Sequence, residues 1–269
     1  MENEQEFIST FAQVAVEAVK AGGSIISQYY AKIIPEPRRK ADTSYQTIAD
    51  TASEQAIINV IGRAFPTHGI SSEEMSTPII TSSEYEWFVD PMDGTENFLS
   101  GVPYFSSCVA LCKNGLPIIT AIYNLVTDEL YLAIRGQGAT RNGKPIQVST
   151  VATLKEGTIF FVPTFENKRQ TGTEYIRNEI YRNCRRMLDT WCSTLDWCQV
   201  ARGKAEGIVV IGPNPLESIA GRLMLEEAKG SITELNDKTS LNIENKIIAS
   251  NGGSLHDSLR QVVSEKVML

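Results

Sequence analysis

Apolar residues Phe7, Ile8, Phe11, Val14, Ala15, Ala18, Val19, Ile25 and Ile26 recur at helical spacing and predict a helix from about Gln5 to Tyr29. Gly22-Gly23 should weaken its far end. Ile33 to Tyr45 carries Pro35, Pro37, three basic residues and hydroxyl side chains, and reads as a loop. A second helix opens at Asp50, with Ile57, Ile58, Ile61, Ala64 and Phe65 as its apolar face and Glu54 in its first turns. An acid in that place is often just an N-cap, favoured by the helix dipole. The chain then breaks at Pro66 and Gly69 and returns through Ser71-Ser72-Glu73-Glu74.

Trp87-Phe88-Val89 reads as a short buried strand that Asp90-Pro91 and Asp93-Gly94 bring to an end. Phe105 to Leu111, Leu116 to Leu125 and Glu129 to Ile134 follow as strands, and Lys113-Asn114-Gly115 is a strong hairpin signal. The second half alternates strand Thr158–Val162, a helix over roughly Thr173–Leu188, a helix near Leu195–Arg202 and strand Gly207–Ile211. A helix over Leu216–Lys229, strands Ser231–Leu235 and Lys246–Ser250, and a terminal helix from Leu255 complete it. Helices and sheets in runs indicate a layered α/β class. Pro163 to Gly172 reads as a lobe boundary or a substrate-facing loop, which suggests an N-terminal lobe over 1–150 and a C-terminal lobe over 151–269.

Composition narrows the function classes. The chain has 269 residues, 42% apolar and 21% charged, enough for a sizeable core in one large domain or two packed lobes. A net charge of −7 argues against a nucleic-acid partner, because phosphate backbones call for clustered Lys and Arg. The tight basic clusters are Arg38-Arg39-Lys40 and Arg185-Arg186, each a solvated face or a local anion contact. Five cysteines without paired spacing point to neither zinc nor a disulfide framework. The acidic start and the lack of a membrane-length apolar run lead us to expect a cytoplasmic protein with no membrane partner.

Candidate chemistry concentrates in Glu86 to Phe98. Pro91 fixes its own φ and pushes Asp90 to an extended conformation, so the turn is stiff. Such a turn can aim Asp90, the Met92 carbonyl and Asp93 into one volume, while Gly94 lets backbone N–H groups approach a ligand. Hard oxygen donors on a rigid loop suit Mg²⁺, and donors beyond them suit a phosphate oxygen. A solvated acidic turn would use the same dipeptides, but Glu73-Glu74 upstream offers a second acid pair for a divalent site. His68 has no neighbour that completes a nucleophile pair and reads as structural.

Asp90-Pro91-Met92-Asp93-Gly94-Thr95, with Asn97-Phe98 and Gly101-Val102-Pro103-Tyr104-Phe105, resembles the motif of the inositol monophosphatase superfamily. Thr47-Ile48-Ala49-Asp50, Ser72-Glu73-Glu74 and, more weakly, the stretch to Gly230 extend the resemblance over most of the chain. It implies an α-β-α-β-α sandwich, a small phosphate-ester substrate, two or three Mg²⁺ ions, inhibition by Li⁺ and a homodimer. It further implies metal ligation by Glu73, Asp90, the Met92 carbonyl and Asp93, with Glu73 also contacting the attacking water. Asp50 and Thr95 would position that water, and the Gly94 and Thr95 amides would hold the phosphate.

Two departures bear on substrate. Where the family carries Trp-Asp, this chain has Leu216-Glu217, so Glu217 can ligate metal only if backbone or ion shifts by a methylene; otherwise it is a first-turn helix acid. The family's inositol-contacting glutamate falls on Val210, and its small-residue pocket stretch on Trp191-Cys192-Ser193-Thr194, which makes Trp191, Cys192 and Val210 the substrate-facing positions. Lys40-Ala41-Asp42, Thr47-Ile48-Ala49-Asp50, Phe65 to Ile70 and Asn214-Pro215-Leu216-Glu217 are similar to the histidinol-phosphatase branch, which lacks Asn97. The expected activity is Mg²⁺-dependent hydrolysis of a small polyol or sugar phosphate. The alternatives are histidinol phosphate as substrate, or a catalytically degenerate member acting as a binding protein.

Overall fold

The computed structural model describes residues 2–30, 32, 35–41, 43–164, 170–212, 215–235 and 246–264. Asp42, Asn214 and residues 165–169 of the Pro163–Gly172 stretch lie outside them, as does the side chain of Glu217.

In chain order the elements are α1 (Glu2–Tyr29), β1 (Arg38–Arg39), β2 (Tyr45–Gln46), α2 (Ile48–Ala64), β3 (Gly69–Ser72), β4 (Tyr85–Asp93), α3 (Thr95–Ser100), β5 (Ser106–Lys113), β6 (Leu116–Asn124) and β7 (Glu129–Ile134). There follow β8 (Gly138–Arg141), β9 (Lys144–Ile146), β10 (Thr158–Pro163), α4 (Thr171–Asn183), β11 (Arg186–Leu188), α5 (Ser193–Ala201), β12 (Gly207–Ile211), α6 (Pro215–Glu227), β13 (Ser231–Leu235), β14 (Lys246–Ser250) and α7 (Gly253–Ser264).

Strands β3 to β9 form a seven-stranded sheet in chain order, and a five-stranded sheet runs β11-β10-β12-β14-β13. In the first sheet only β3–β4 is parallel; in the second, β11, β10 and β12 are parallel, and β14 runs antiparallel to both of its neighbours, β12 and β13. Both faces of each sheet are covered, so alternate residues of a strand enter different cores. Val109 and Leu111 of β5 pack under α1 and α2, whereas Cys108 and Ala110 face α5 and α6. On β12, Ile208 and Val210 join that same middle core, and Val209 and Ile211 pack toward α4 and α7. The layers are therefore α1/α2, seven-stranded sheet, α5/α6, five-stranded sheet, α4/α7: an α-β-α-β-α sandwich.

Four local expectations change. Gly22-Gly23 does not fray α1; it lets the helix pack closely. A Cβ on Gly22 would lie 2.7 Å from Ile57 Cδ1 and Ser53 Oγ, and one on Gly23 2.7 Å from the Tyr123 ring. Strand β4 does not stop at Asp90-Pro91 but continues to Asp93, because the ladder shifts register between Asp90 and Asp93 and the bulge accommodates a residue without an N–H. The helix expected to reach Leu188 ends at Asn183, and Arg186–Leu188 pairs with β10 as an edge strand. Within the expected loop Ile33–Tyr45, β1 and β2 form a small antiparallel hairpin.

Candidate active site

Asp50 is not the N-cap of α2 but the third residue of a capping box. Thr47 is the cap: its hydroxyl accepts the Ala49 amide at 3.0 Å, and its own N–H donates to Asp50 Oδ2 at 2.6 Å. The Thr47 hydroxyl also lies 2.6 Å from Oδ2. Asp50 Oδ1 is thereby left for Thr95, whose hydroxyl lies 3.0 Å from it and 3.1 Å from the Met92 carbonyl. The cap of one helix and the first residue of α3 thus meet at the end of β4. Burial pushes the Asp50 carboxyl up to about 6 against the hydrogen bonds from Thr47 and Thr95, and the negative charge of Glu73 adds to the rise.

The bulge at the end of β4 sets the next donors. Asp90 is 2% exposed, and its Oδ1 accepts the Met92 amide at 3.1 Å. Gly94 takes φ +96°, a left-handed conformation that any Cβ would strain, and a Cβ there would stand 3.0 Å from Phe105 and the Tyr104 carbonyl. Asp93 turns the other way. Its Oδ2 accepts the Thr194 amide at 2.7 Å and the Thr194 hydroxyl at 2.6 Å, and the Cys192 thiol stands 3.4 Å away. Burial raises the Asp93 carboxyl, the Thr194 and Cys192 bonds oppose that rise, and Glu73 again adds to it.

Glu73 leaves β3 with its amide bonded to the Val89 carbonyl at 3.1 Å. Its Oε1 lies 2.8 Å from Lys40 Nζ, which also reaches Glu74 Oε1 at 2.5 Å; Gln46 donates to Glu74 Oε2 at 2.6 Å. Burial alone would lower the Lys40 ammonium, but Glu73 and Glu74 more than offset it and hold Lys40 charged. Ser72 donates to Glu54, so Glu54 braces the strand that delivers Glu73.

The sequence-predicted residues are thus only partly brought together. Glu73 is close enough to Asp50 and to Asp93 for its charge to raise the proton affinity of both, and Asp90 and the Met92 carbonyl share the same strand end. Among the described residues, however, no three acidic, histidine or cysteine side chains converge tightly enough to grip an ion as they stand. The reason is local: Glu73 is drawn onto Lys40 and Asp93 Oδ2 onto Thr194. Chemically the set still fits Mg²⁺, since every donor is a hard oxygen and the mutual repulsion is what a divalent cation relieves. Glu217 lies in the first turn of α6.

Beside Asp93 stands a polar network that spacing did not reveal. Asn97 Nδ2 donates to the carbonyls of Tyr104 and Thr190, both at 2.7 Å. The hydroxyls of Thr190 and Tyr104 donate to the fully buried Asp196, at 2.6 and 3.0 Å. Between these anchors Trp191 adopts φ +59° and stays 38% exposed. Cys192, expected to face substrate, is fully buried against Asp93, and Val210 lies in the core between the sheets at 4% exposure. His68 accepts the Trp87 indole N–H at 3.1 Å within an aromatic cluster of Phe11, Phe65 and Tyr85, a packing role. Among the described residues, no helix is long and apolar enough to cross a membrane.

A sequence profile described as the Inositol monophosphatase family matches residues 8–268. The chain is 32% identical over 262 residues to the Fructose-1,6-bisphosphatase/inositol-1-monophosphatase of Aquifex aeolicus, covering 97% of each. It is 31% identical over 241 residues to the Nus factor SuhB of Salmonella typhimurium, covering 88% of this chain and 90% of that one. Its fold is similar to that of the inositol monophosphatase from Anabaena (Nostoc), with TM-score 0.78 and 30% identity over 95% of both chains.

Proposed function

The chain belongs to the inositol monophosphatase family, and on that premise we propose that it hydrolyses a small phosphate monoester with Mg²⁺ and a water nucleophile. The observation that supports this most directly is the placement of the Thr95 hydroxyl between Asp50 and the Met92 carbonyl, with the charge of Glu73 felt at both Asp50 and Asp93.

Glu73, Asp90, the Met92 carbonyl, Asp93 and Glu217 would hold two or three Mg²⁺ ions. When bound, these would lower the pKa of a water and neutralise charge on the ester. Thr95, donating its hydroxyl proton to Asp50 Oδ1, keeps a lone pair for the attacking water; as the water's proton passes to Thr95 Oγ1, the Thr95 proton passes to Asp50. Glu73 orients the same water once it has left Lys40. The Gly94 and Thr95 amides hold the phosphate oxygens. Trp191, Cys192 and Val210 belong to the side on which the leaving group is recognised, Trp191 by exposure and the other two by shaping the wall behind it. In this reading the acids lie in a lobe over 1–150 and Glu217 and the substrate wall in one over 151–269. The protein is a cytoplasmic homodimer inhibited by Li⁺.

A panel of phosphate esters at several Mg²⁺ concentrations, with and without lithium, tests the reading by colorimetric phosphate detection. The panel includes inositol, sugar and histidinol phosphates. Metal-dependent, lithium-sensitive release from any of them supports it; release from none, at any Mg²⁺ concentration, overturns it.

One observation favours a second reading. Lys40 occupies Glu73 and Glu74, and the family aspartate is replaced by Glu217, features that would suit a member that binds a partner without turnover. The relative named Nus factor SuhB shows that proteins with names other than phosphatase lie in this neighbourhood. Calorimetric Mg²⁺ titration separates the two, since a partner-binding protein would take up no metal near millimolar concentration.

A further inference from the structure

Hairpin β1–β2 carries a cation that the reaction does not use. Arg38 stands opposite Gln46 and Arg39 opposite Tyr45, and the Lys40 amide donates to the Ser44 carbonyl at 2.8 Å, which carries the pairing one step further. Side chains alternate along paired strands. Arg38, Lys40, Ser44 and Gln46 therefore share one face, and Arg39 and Tyr45 the other. Two members of the first set report where that face looks: Lys40 reaches Glu73 and Glu74, and Gln46 reaches Glu74. Arg38 stands on the site side of the hairpin with them. Cross-strand neighbours lie about 5 Å apart at Cβ, so Arg38 stands one cross-strand step from Gln46, whose amide donates to Glu74 at the acidic end of the site.

Arg38 is exposed and, among the described residues, has neither an ion pair nor a side-chain hydrogen bond. Lys40, two residues on, is fully engaged by carboxylates, so the two cations are not equivalent. A planar fork of donors, always charged and on the hairpin face that carries Lys40 and Gln46 to the acidic centre, suits a phosphate or a carboxylate. The reacting phosphate is already provided for at Gly94 and Thr95 in the reading above.

We propose that Arg38 binds a second anionic group on the substrate, a phosphate or carboxylate on the leaving-group side, so that doubly anionic esters are preferred over esters of neutral polyols. The proposal rests on the hydrolase reading of the same site and adds a substrate class to it. Arg39 supplies an internal control, because it carries the same charge on the opposite face of the same strand.

The test compares a hexose bisphosphate, a phosphorylated sugar acid and a plain hexose monophosphate, with the parent, Arg38→Gln and Arg39→Gln proteins. The parent should favour the two doubly anionic esters in kcat/KM and in calorimetric affinity. R38Q should lose about tenfold of that preference, while R39Q keeps it to within about twofold. A loss confined to the bisphosphate identifies phosphate as the group bound, and a loss for both compounds identifies anionic charge. Equal losses in R38Q and R39Q would indicate diffuse charge and overturn the proposal, as would a parent without any preference. Calorimetry reads the ratio without turnover. Absence of phosphate release from every ester therefore condemns the hydrolase reading alone, and a binding preference untouched by R38Q condemns the subsite alone.

Discussion

Thr194 holds Asp93 Oδ2 twice, through its amide at 2.7 Å and its hydroxyl at 2.6 Å. A carboxylate presented by the end of β4 is thus oriented by the first turn of α5, which packs between the two sheets. Ser106 Oγ lies 2.7 Å from the same hydroxyl and completes the chain. Outer partners of a metal ligand fix which oxygen it presents. Thr194→Val should therefore weaken Mg²⁺ binding about 10- to 100-fold by calorimetry, while Thr194→Ser stays close to the parent. Equal affinity in all three proteins would remove Thr194 from the account.

Asp50 serves two structures, the cap of α2 through Oδ2 and Thr95 through Oδ1. Asp50→Asn should lower kcat about 10²- to 10⁴-fold through the loss of a proton acceptor. Because an amide keeps part of the capping box, stability should fall by only about 1 kcal/mol. Stopped-time phosphate assays and urea denaturation read the two effects separately; a large loss of stability with kcat intact would assign Asp50 to the cap alone.

How the acids are delivered was legible from residue types, and how they are restrained was not. Asp90-Pro91-Met92-Asp93-Gly94-Thr95 and Glu73-Glu74 mark the right strand ends because proline, glycine and acid punctuation is local chemistry. The apolar runs of β5 and β12 are continuous because both faces of each sheet are covered, and that same continuity leaves their order in the sheets open. Lys40 lies 33 residues from Glu73, and Thr194 lies 101 from Asp93. Neither pairing leaves a spacing signal, so the basic hairpin read as a loop and Thr194 as pocket lining. Gly22-Gly23 misled for a related reason: propensity scores a glycine by the helix it occupies, and here its role is set by Ile57, Ser53 and Tyr123.

Gly22→Ala tests that close approach. The added methyl meets Ile57 and Ser53, so overpacking should outweigh the gain in helix propensity and cost about 1–3 kcal/mol in urea denaturation. A variant more stable than the parent would mean that α1 and α2 can separate freely.

The chain's two histidines are both held neutral. His68 Nδ1 accepts the Trp87 indole, and His256 bonds Ser250 at 2.8 Å and Thr233 at 2.9 Å. Burial lowers both pKa values, with Arg260 adding to the effect at His256 and Asp257 opposing it. The unfolded chain therefore takes up protons first as pH falls through about 6.5. Their contribution to stability is complete above that pH and drains away below it, by at most about 1.4 kcal/mol per pH unit for each histidine. The raised carboxyls of Asp50 and Asp93 act in the opposite sense, so the comparison must be with a variant. Urea denaturation between pH 5 and 8 should show a shallower acid loss in His256→Gln than in the parent; parallel curves would mean that His256 charges freely in the fold.

The most direct measurement of the hydrolase account is phosphate release as Mg²⁺ is titrated, in the parent and in Asp93→Asn, with the thermal midpoint of each protein recorded in the absence of metal. The account predicts saturable, Mg²⁺-dependent release by the parent and none by D93N at a similar midpoint. Turnover by D93N equal to the parent's, or release that survives complete removal of Mg²⁺, would contradict it.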